Sequence, residues 1–148
     1  IFSGLLQKFP QTKIALSESS IGWIPWVLER ANQVYHTQRH WVAKGQQFAG
    51  SAEGAHATVG DVDVFAIDVY RDYREHFYGC FIDDASGLAM LDVIGEDNIM
   101  FESDYPHSDS NWPHARKMLA ESLVHLSDAT CAKIAEGNAR KLFNFPRQ

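Results

Sequence analysis

Apolar residues in this chain follow two rhythms: short continuous runs of strand length, and longer stretches in which they recur every three or four positions. The short runs are Lys13-Ile-Ala-Leu-Ser17, Phe77-Tyr-Gly-Cys-Phe-Ile82 and Asn98-Ile-Met-Phe101, and each predicts a strand. Each hands over at its C-terminal end to a polar tip: Glu18-Ser19-Ser20, Asp83-Asp84, and the segment from Glu102 to His107. The helical rhythm is clearest from about Trp23 to Trp41, where Ile24, Val27, Leu28, Ala31, Val34 and Tyr35 form one face and Pro25 fits the first turn. A short helix is predicted at 85–94, closed by Gly95. Asn111 as N-cap, Pro113 and the stripe Met118, Leu119, Leu123 and Leu126 predict a helix to about 125. Ser127 or Asp128 caps a last helix with Cys131, Ile134, Ala135, Ala139 and Leu142 inward, and Pro146 follows its end.

The remaining segments are less regular. Ile1, Phe2, Leu5, Leu6 and Phe9 read as the last turns of a helix stopped by Pro10; with no initiator Met, the sequence reads as opening inside an element, as a fragment or an incomplete reading frame would. Residues 42–60 are rich in Gly and Ala without a sustained period and read as a long loop. Residues 61–75 suit either a strand or a short helix, with a helix favoured in the second half. A loop or insertion over 42–72 within a single partial domain is therefore expected.

Strands apolar on both faces, alternating with helices, indicate an α/β fold with a parallel sheet covered by helices. In such sheets chemistry collects beyond the C-terminal strand ends, which places the three polar tips on one rim. With 148 residues the chain holds one domain or part of one, well short of the roughly 250 of a complete (β/α)8 barrel.

Charge and cysteine usage narrow the function classes. A net charge of −6 argues against binding a phosphate backbone, which relies on clustered Lys and Arg, so nucleic acid is not an expected partner. No uncharged apolar run approaches the roughly 20 residues of a membrane span, and no membrane association is expected. Cys80 in a strand-like run and Cys131 on a helix-like face read as buried free thiols, which points to a cytoplasmic location.

Asp104 lies where a strand would deliver a carboxylate to the mouth of a site. There it can bind a divalent cation and take a proton from water; an Asp before Tyr-Pro also suits a simple turn. His107, three residues on, is a ligand, a proton carrier or an ordinary loop histidine. Glu18 occupies the matching position on another strand, as acid, base, ligand or substrate anchor, or as a salt-bridging rim residue. Asp83 and Asp84 suit helix capping. Strand alternation would send Glu102 and Asp104 to the same side, where a metal or a shared proton would relieve their repulsion. His36, His40, His56, His76, His114 and His125 read as structural, and no H-x-H or H-E-x-x-H motif occurs.

Phe9-Pro10 with Lys13–Glu18, Gly22-Trp-Ile-Pro-Trp-Val-Leu-Glu-Arg30, Tyr78–Asp84, Asp97-Asn-Ile-Met-Phe-Glu-Ser-Asp-Tyr-Pro-His107 and Gly137-Asn-Ala-Arg-Lys-Leu-Phe143 together resemble the amidohydrolase-2 family, the metal-dependent hydrolases related to aminocarboxymuconate-semialdehyde decarboxylase. The resemblance implies the C-terminal portion, about units 6–8, of a (β/α)8 TIM barrel. It also implies that Asp104 takes the place of the metal-binding strand-end aspartate, the metal usually being zinc. The family's H-x-H and its further metal-binding histidine have no counterpart here, and Glu18 stands where many relatives carry a histidine.

The expected protein is thus a metal-dependent hydrolase or decarboxylase of a small carboxylic, amide or ester substrate, working through metal-activated water. Asp104 would serve as metal ligand and base, Glu18 as a catalytic, substrate-orienting group, and His107 as a substrate-binding residue at the rim. Association into a homo-oligomer is compatible with unpaired sheet edges. The rival expectation is a non-catalytic α/β module used for binding or assembly.

Overall fold

The structure, a computed structural model, describes residues 1–43 and 63–146. They form two compact units, residues 1–12 with 26–76 and residues 13–25 with 77–148. The loop expected over 42–60 lies outside the described residues from position 44 on.

The first unit is helical. It contains α1 (Leu5–Lys8), most of α2 (Ile24–Ala43), a 3-10 turn at Val64–Ala66 and α3 (Val69–His76). On α2 the buried stripe is narrower than its apolar pattern predicts: Ile24, Leu28 and Tyr35 are buried, whereas Val27 and Val34 are exposed. The Gln7 side chain bonds both backbone groups of Asp63, donating from Nε2 to the carbonyl at 3.0 Å and accepting from the N–H at 3.1 Å. His76, buried at the end of α3, has Nδ1 2.7 Å from the Thr12 carbonyl, which bears out its structural reading. The helix expected in the second half of 61–75 is α3.

The second unit is built on a parallel sheet of β1 (Ile14–Leu16), β2 (Phe77–Phe81) and β3 (Ile99–Phe101), in the order β1-β2-β3. Ile14 pairs with Phe77, and Gly79 lies between Leu16 and Ile99. The central strand is buried on both faces, which is why it reads as an unbroken apolar run. Tyr78 and Cys80 share one face with Met100, and Ala139 and Leu142 of the last helix pack against them. On the other face Gly79 admits the isoleucines that follow β1: a Cβ there would stand 2.7 Å from Ile21 Cγ2 and 2.9 Å from Ile24 Cδ1.

Helical segments follow β2 and β3. The helix predicted at 85–94 is two single turns, α4 (Ala85–Leu88) and α5 (Leu91–Ile94), ending at Gly95 with φ 94°. The next helix, α6 (Ala115–Ser122), begins later than predicted. Its N-cap position is occupied by His114, and Asn111 instead buries its side chain.

The last helix is interrupted. Between α7 (Asp128–Ala132) and α8 (Asn138–Phe143), residues Lys133–Gly137 form a π turn. The wider π turn shifts the inward face, so Ala135 is exposed while Asn138 is buried. Asn138 donates to the carbonyls of Glu96 and Ile99, both at 2.8 Å, tying the helix to the start of β3. Ser127 caps α7 as expected, its Oγ accepting from the Thr130 N–H.

Candidate functional site

Two carboxylates lace the C-terminal ends of the strands together. Asp84, buried after β2, accepts from the N–H groups of Ile21 and Gly22 at 2.7 Å each, from the Gly87 N–H at 2.8 Å and from the Ser86 hydroxyl at 2.9 Å. It caps α4 and also anchors the loop that follows β1. Burial pushes its carboxyl up, but the donors from Gly87, Ile21, Gly22 and Ser86 outweigh this and hold it below the usual Asp range.

Glu102 does the same for the outer strands. Its own N–H donates to the Phe81 carbonyl at 3.0 Å, so its backbone extends the β2–β3 pairing. Its Oε2 accepts from the Ser17 hydroxyl at 2.7 Å and its Oε1 from the Glu18 N–H at 2.6 Å. These bonds carry the Glu102 side chain past the end of β2 to the tip of β1, the strand on the far side of the sheet.

At that rim the backbone turns left-handed three times without glycine, at Glu18 (φ 54°), Ser20 (φ 54°) and Asp104 (φ 52°). Residues with a Cβ are uncommon in this region, and neighbouring bonds must hold them there. The turn after β1 is held by Ser19, whose hydroxyl bonds the Leu16 carbonyl at 2.8 Å, and by Trp23, whose indole N–H donates to the Ser19 carbonyl at 2.8 Å. The turn after β3 is held by the His107 N–H on the Asp104 carbonyl at 2.8 Å and by the Ser110 hydroxyl on the Ser103 carbonyl at 2.6 Å.

These turns bring the three sequence-predicted residues together. Glu18, Asp104 and His107 each offer a ligand atom, and these atoms lie within 4.8 Å of one another. His107 Nδ1 stands 2.9 Å from Asp104 Oδ1 and 3.8 Å from Glu18 Oε1. The Asp104 side chain is only 8% exposed, against 57% for Glu18 and 63% for His107, so Asp104 forms the floor and the other two the rim. Two carboxylates and an imidazole make an O/N donor set suited to zinc, manganese or a similar divalent ion. Tyr105 and Trp112, both exposed, pair their rings at 5.3 Å in the segment that follows Asp104.

Glu102, weighed in the sequence as a second carboxylate beside Asp104, spends both oxygens on Ser17 and Glu18 instead. The chain leaves the strand conformation at Asp104, so strand alternation does not relate the two side chains. Ser17 and Asp84 were legible only as tip polarity and as a helix cap. Asp83 has no place in the cluster.

The family model described as Amidohydrolase matches residues 1–145. No curated protein matches the sequence. Among solved structures, an amidohydrolase from Mycobacterium avium subsp. paratuberculosis K-10 is similar with a TM-score of 0.69 at 20% identity, over 94% of this chain and 30% of that one. The 5-carboxyvanillate decarboxylase of Sphingomonas paucimobilis gives 0.68 at 20% identity, over 98% and 37%. The dihydroxybenzoic acid decarboxylase of Polaromonas sp. JS666, solved with bound manganese and the inhibitor 2-nitroresorcinol, gives 0.62 at 24% identity, over 99% and 38%. The chain therefore spans between 30% and 38% of the length of these structures, and its parallel α/β fold is similar to that of the amidohydrolase barrels. A parallel sheet with its carboxylates at one rim, matched by the family model from the first residue to position 145, makes this chain a member of the amidohydrolase-2 family.

Proposed function

We propose that the protein is a metal-dependent decarboxylase of a small aryl carboxylic acid, of which this chain supplies units 6–8 of a (β/α)8 barrel. The observation that carries the reading is the convergence of Glu18, Asp104 and His107 from two strand tips onto one spot. The sequential order β1-β2-β3, all parallel, is that of consecutive barrel strands. Two neighbours of similar fold are named as decarboxylases of aromatic acids, and one of them holds manganese. The exposed Tyr105–Trp112 pair suits the flat face of such a substrate.

On this chain Asp104 and Glu18 would hold the ion, and two carboxylates suit manganese or a similar divalent cation. When bound, the ion supplies Lewis-acid polarisation. Glu18, the more exposed carboxylate, keeps an oxygen for a substrate hydroxyl. His107 has Nδ1 turned to Asp104 and delivers a proton from Nε2. In the reaction the bond between ring carbon and carboxyl carbon breaks, carbon dioxide leaves, and the electron pair left on the ring carbon takes the proton. Two free cysteines fit a cytoplasmic enzyme.

Hydrolysis of a small amide or ester is the second reading, favoured by the family description and by the M. avium neighbour. A panel of hydroxybenzoic acids and of aryl amides and esters, incubated with the manganese-loaded full-length protein, separates the two. Release of carbon dioxide from an acid supports the first; hydrolysis alone supports the second; turnover of neither class leaves the non-catalytic module.

A further inference from the structure

Glu18 reaches Asp104 and His107 only because its backbone adopts φ 54°, a conformation that its own side chain disfavours. The bonds of Ser19 and Trp23 hold the turn from within, and Glu102 holds it from the far side of the sheet. The Glu18 N–H is bonded to Glu102 Oε1 at 2.6 Å, and the preceding residue, Ser17, to Oε2 at 2.7 Å. Both distances are short, as expected where a carboxylate is the acceptor. Glu102 is itself fixed, since its N–H is committed to Phe81 on the central strand. The bonds therefore run from the middle strand through Glu102 to the two residues that set the direction of the Glu18 side chain. Glu102 contributes no ligand atom to the cluster of Glu18, Asp104 and His107.

We propose that Glu102 is the positioning residue of the site, its carboxylate clamping the Ser17–Glu18 turn in the left-handed conformation that aims Glu18 at Asp104 and His107. The inference rests on the reading of Glu18 and Asp104 as the ligands of the ion, with His107 beside them. It concerns bond geometry and not charge. A glutamine at position 102 can still accept from the Glu18 N–H through its carbonyl and donate to the Ser17 hydroxyl through its amide. Alanine can do neither, and aspartate is one methylene too short to span the same gap.

The test is the affinity of the full-length protein for Mn2+ alone, measured by titration calorimetry alongside the melting temperature of each variant. Glu18→Gln, which alters a ligand, is expected to weaken Mn2+ binding by about tenfold or more, and Glu102→Ala by about tenfold, the lower end for loss of an outer-shell contact. The double variant should be no weaker than Glu18→Gln alone, because the clamp acts only through that side chain. Glu102→Gln should stay within about threefold of the unmodified protein, and Ser17→Ala should fall between, since it removes one of the two bonds. If Glu18→Gln and Asp104→Ala weaken binding but Glu102→Ala does not, the positioning role is overturned while the site stands. If Glu102→Gln is as damaging as Glu102→Ala, or the two losses add, Glu102 acts on the ion by its own charge and the clamp is wrong. If neither Glu18→Gln nor Asp104→Ala affects Mn2+, the cluster itself is overturned. Should Glu102→Ala not fold, Glu102→Gln and Ser17→Ala decide the matter.

Discussion

The imidazole Nδ1 of His107 stands 2.9 Å from the Asp104 carboxylate, which is the more buried partner. This contact fixes one ring nitrogen and leaves the other for exchange with a substrate. His107→Gln is therefore expected to lower kcat by about 100-fold or more, the usual range for loss of a positioned proton donor, with a much smaller change in KM. Steady-state kinetics of the full-length variant check this; an unchanged kcat would remove His107 from the chemistry.

Asp84 holds four donors, three of them backbone N–H groups. Replacing it by Asn turns an amide NH2 toward one pair of those donors, and a loss of about 1–3 kcal/mol is expected from the buried groups left unsatisfied. The pH dependence follows from its lowered folded pKa. The contribution is complete above the unfolded Asp value of about 3.9 and disappears as pH falls through the lower folded value. The stability gap between the native protein and Asp84→Asn, measured by urea melts at successive pH values, should be constant from pH 5 to 7 and close below about pH 4.

Gly79 sits where the central strand meets Ile21 and Ile24 at distances no Cβ tolerates. Gly79→Ala is expected to cost about 1–3 kcal/mol through overpacking, read from a denaturant melt. A neutral result would mean that the two isoleucines can withdraw without cost.

Cys80, on the opposite face of the same strand, has its thiol pushed up to about 11, first by burial and then by the nearby Glu102 carboxylate. It should resist alkylation by iodoacetamide at pH 8 in the native protein and react once the protein is unfolded, as read by peptide mass mapping.

Much of this arrangement was legible in the sequence because burial writes directly into residue type. Phe77–Phe81 is apolar throughout since both faces of the central strand are covered, and the tips at Glu18 and Asp104 are polar since they leave the sheet on the open side. The amidohydrolase resemblance, read from the segment around Asp104, is met by the family match. What escaped had weaker signatures. The π turn at Lys133–Gly137 moves the inward face from Ala135 to Asn138, a polar residue that an apolar pattern passes over. Asn111 has the composition of an N-cap, yet it lies four residues before α6, and its amide is buried without a hydrogen-bond partner among the described residues. Glu102 looked like a partner for Asp104 because alternation was carried past the end of β3. A left-handed turn at Glu18 has no residue signature, whereas Asp104 is of a type that visits this region more readily, so the clamp between Glu102 and Glu18 emerges only from the fold.

The central claim is that Asp104 is a ligand of the catalytic ion. It is tested most directly by the metal content of the full-length Asp104→Ala variant after loading with Mn2+ and gel filtration, with turnover measured on the same sample. Loss of the bound ion together with loss of turnover is the predicted result; unchanged metal content and turnover would contradict the account.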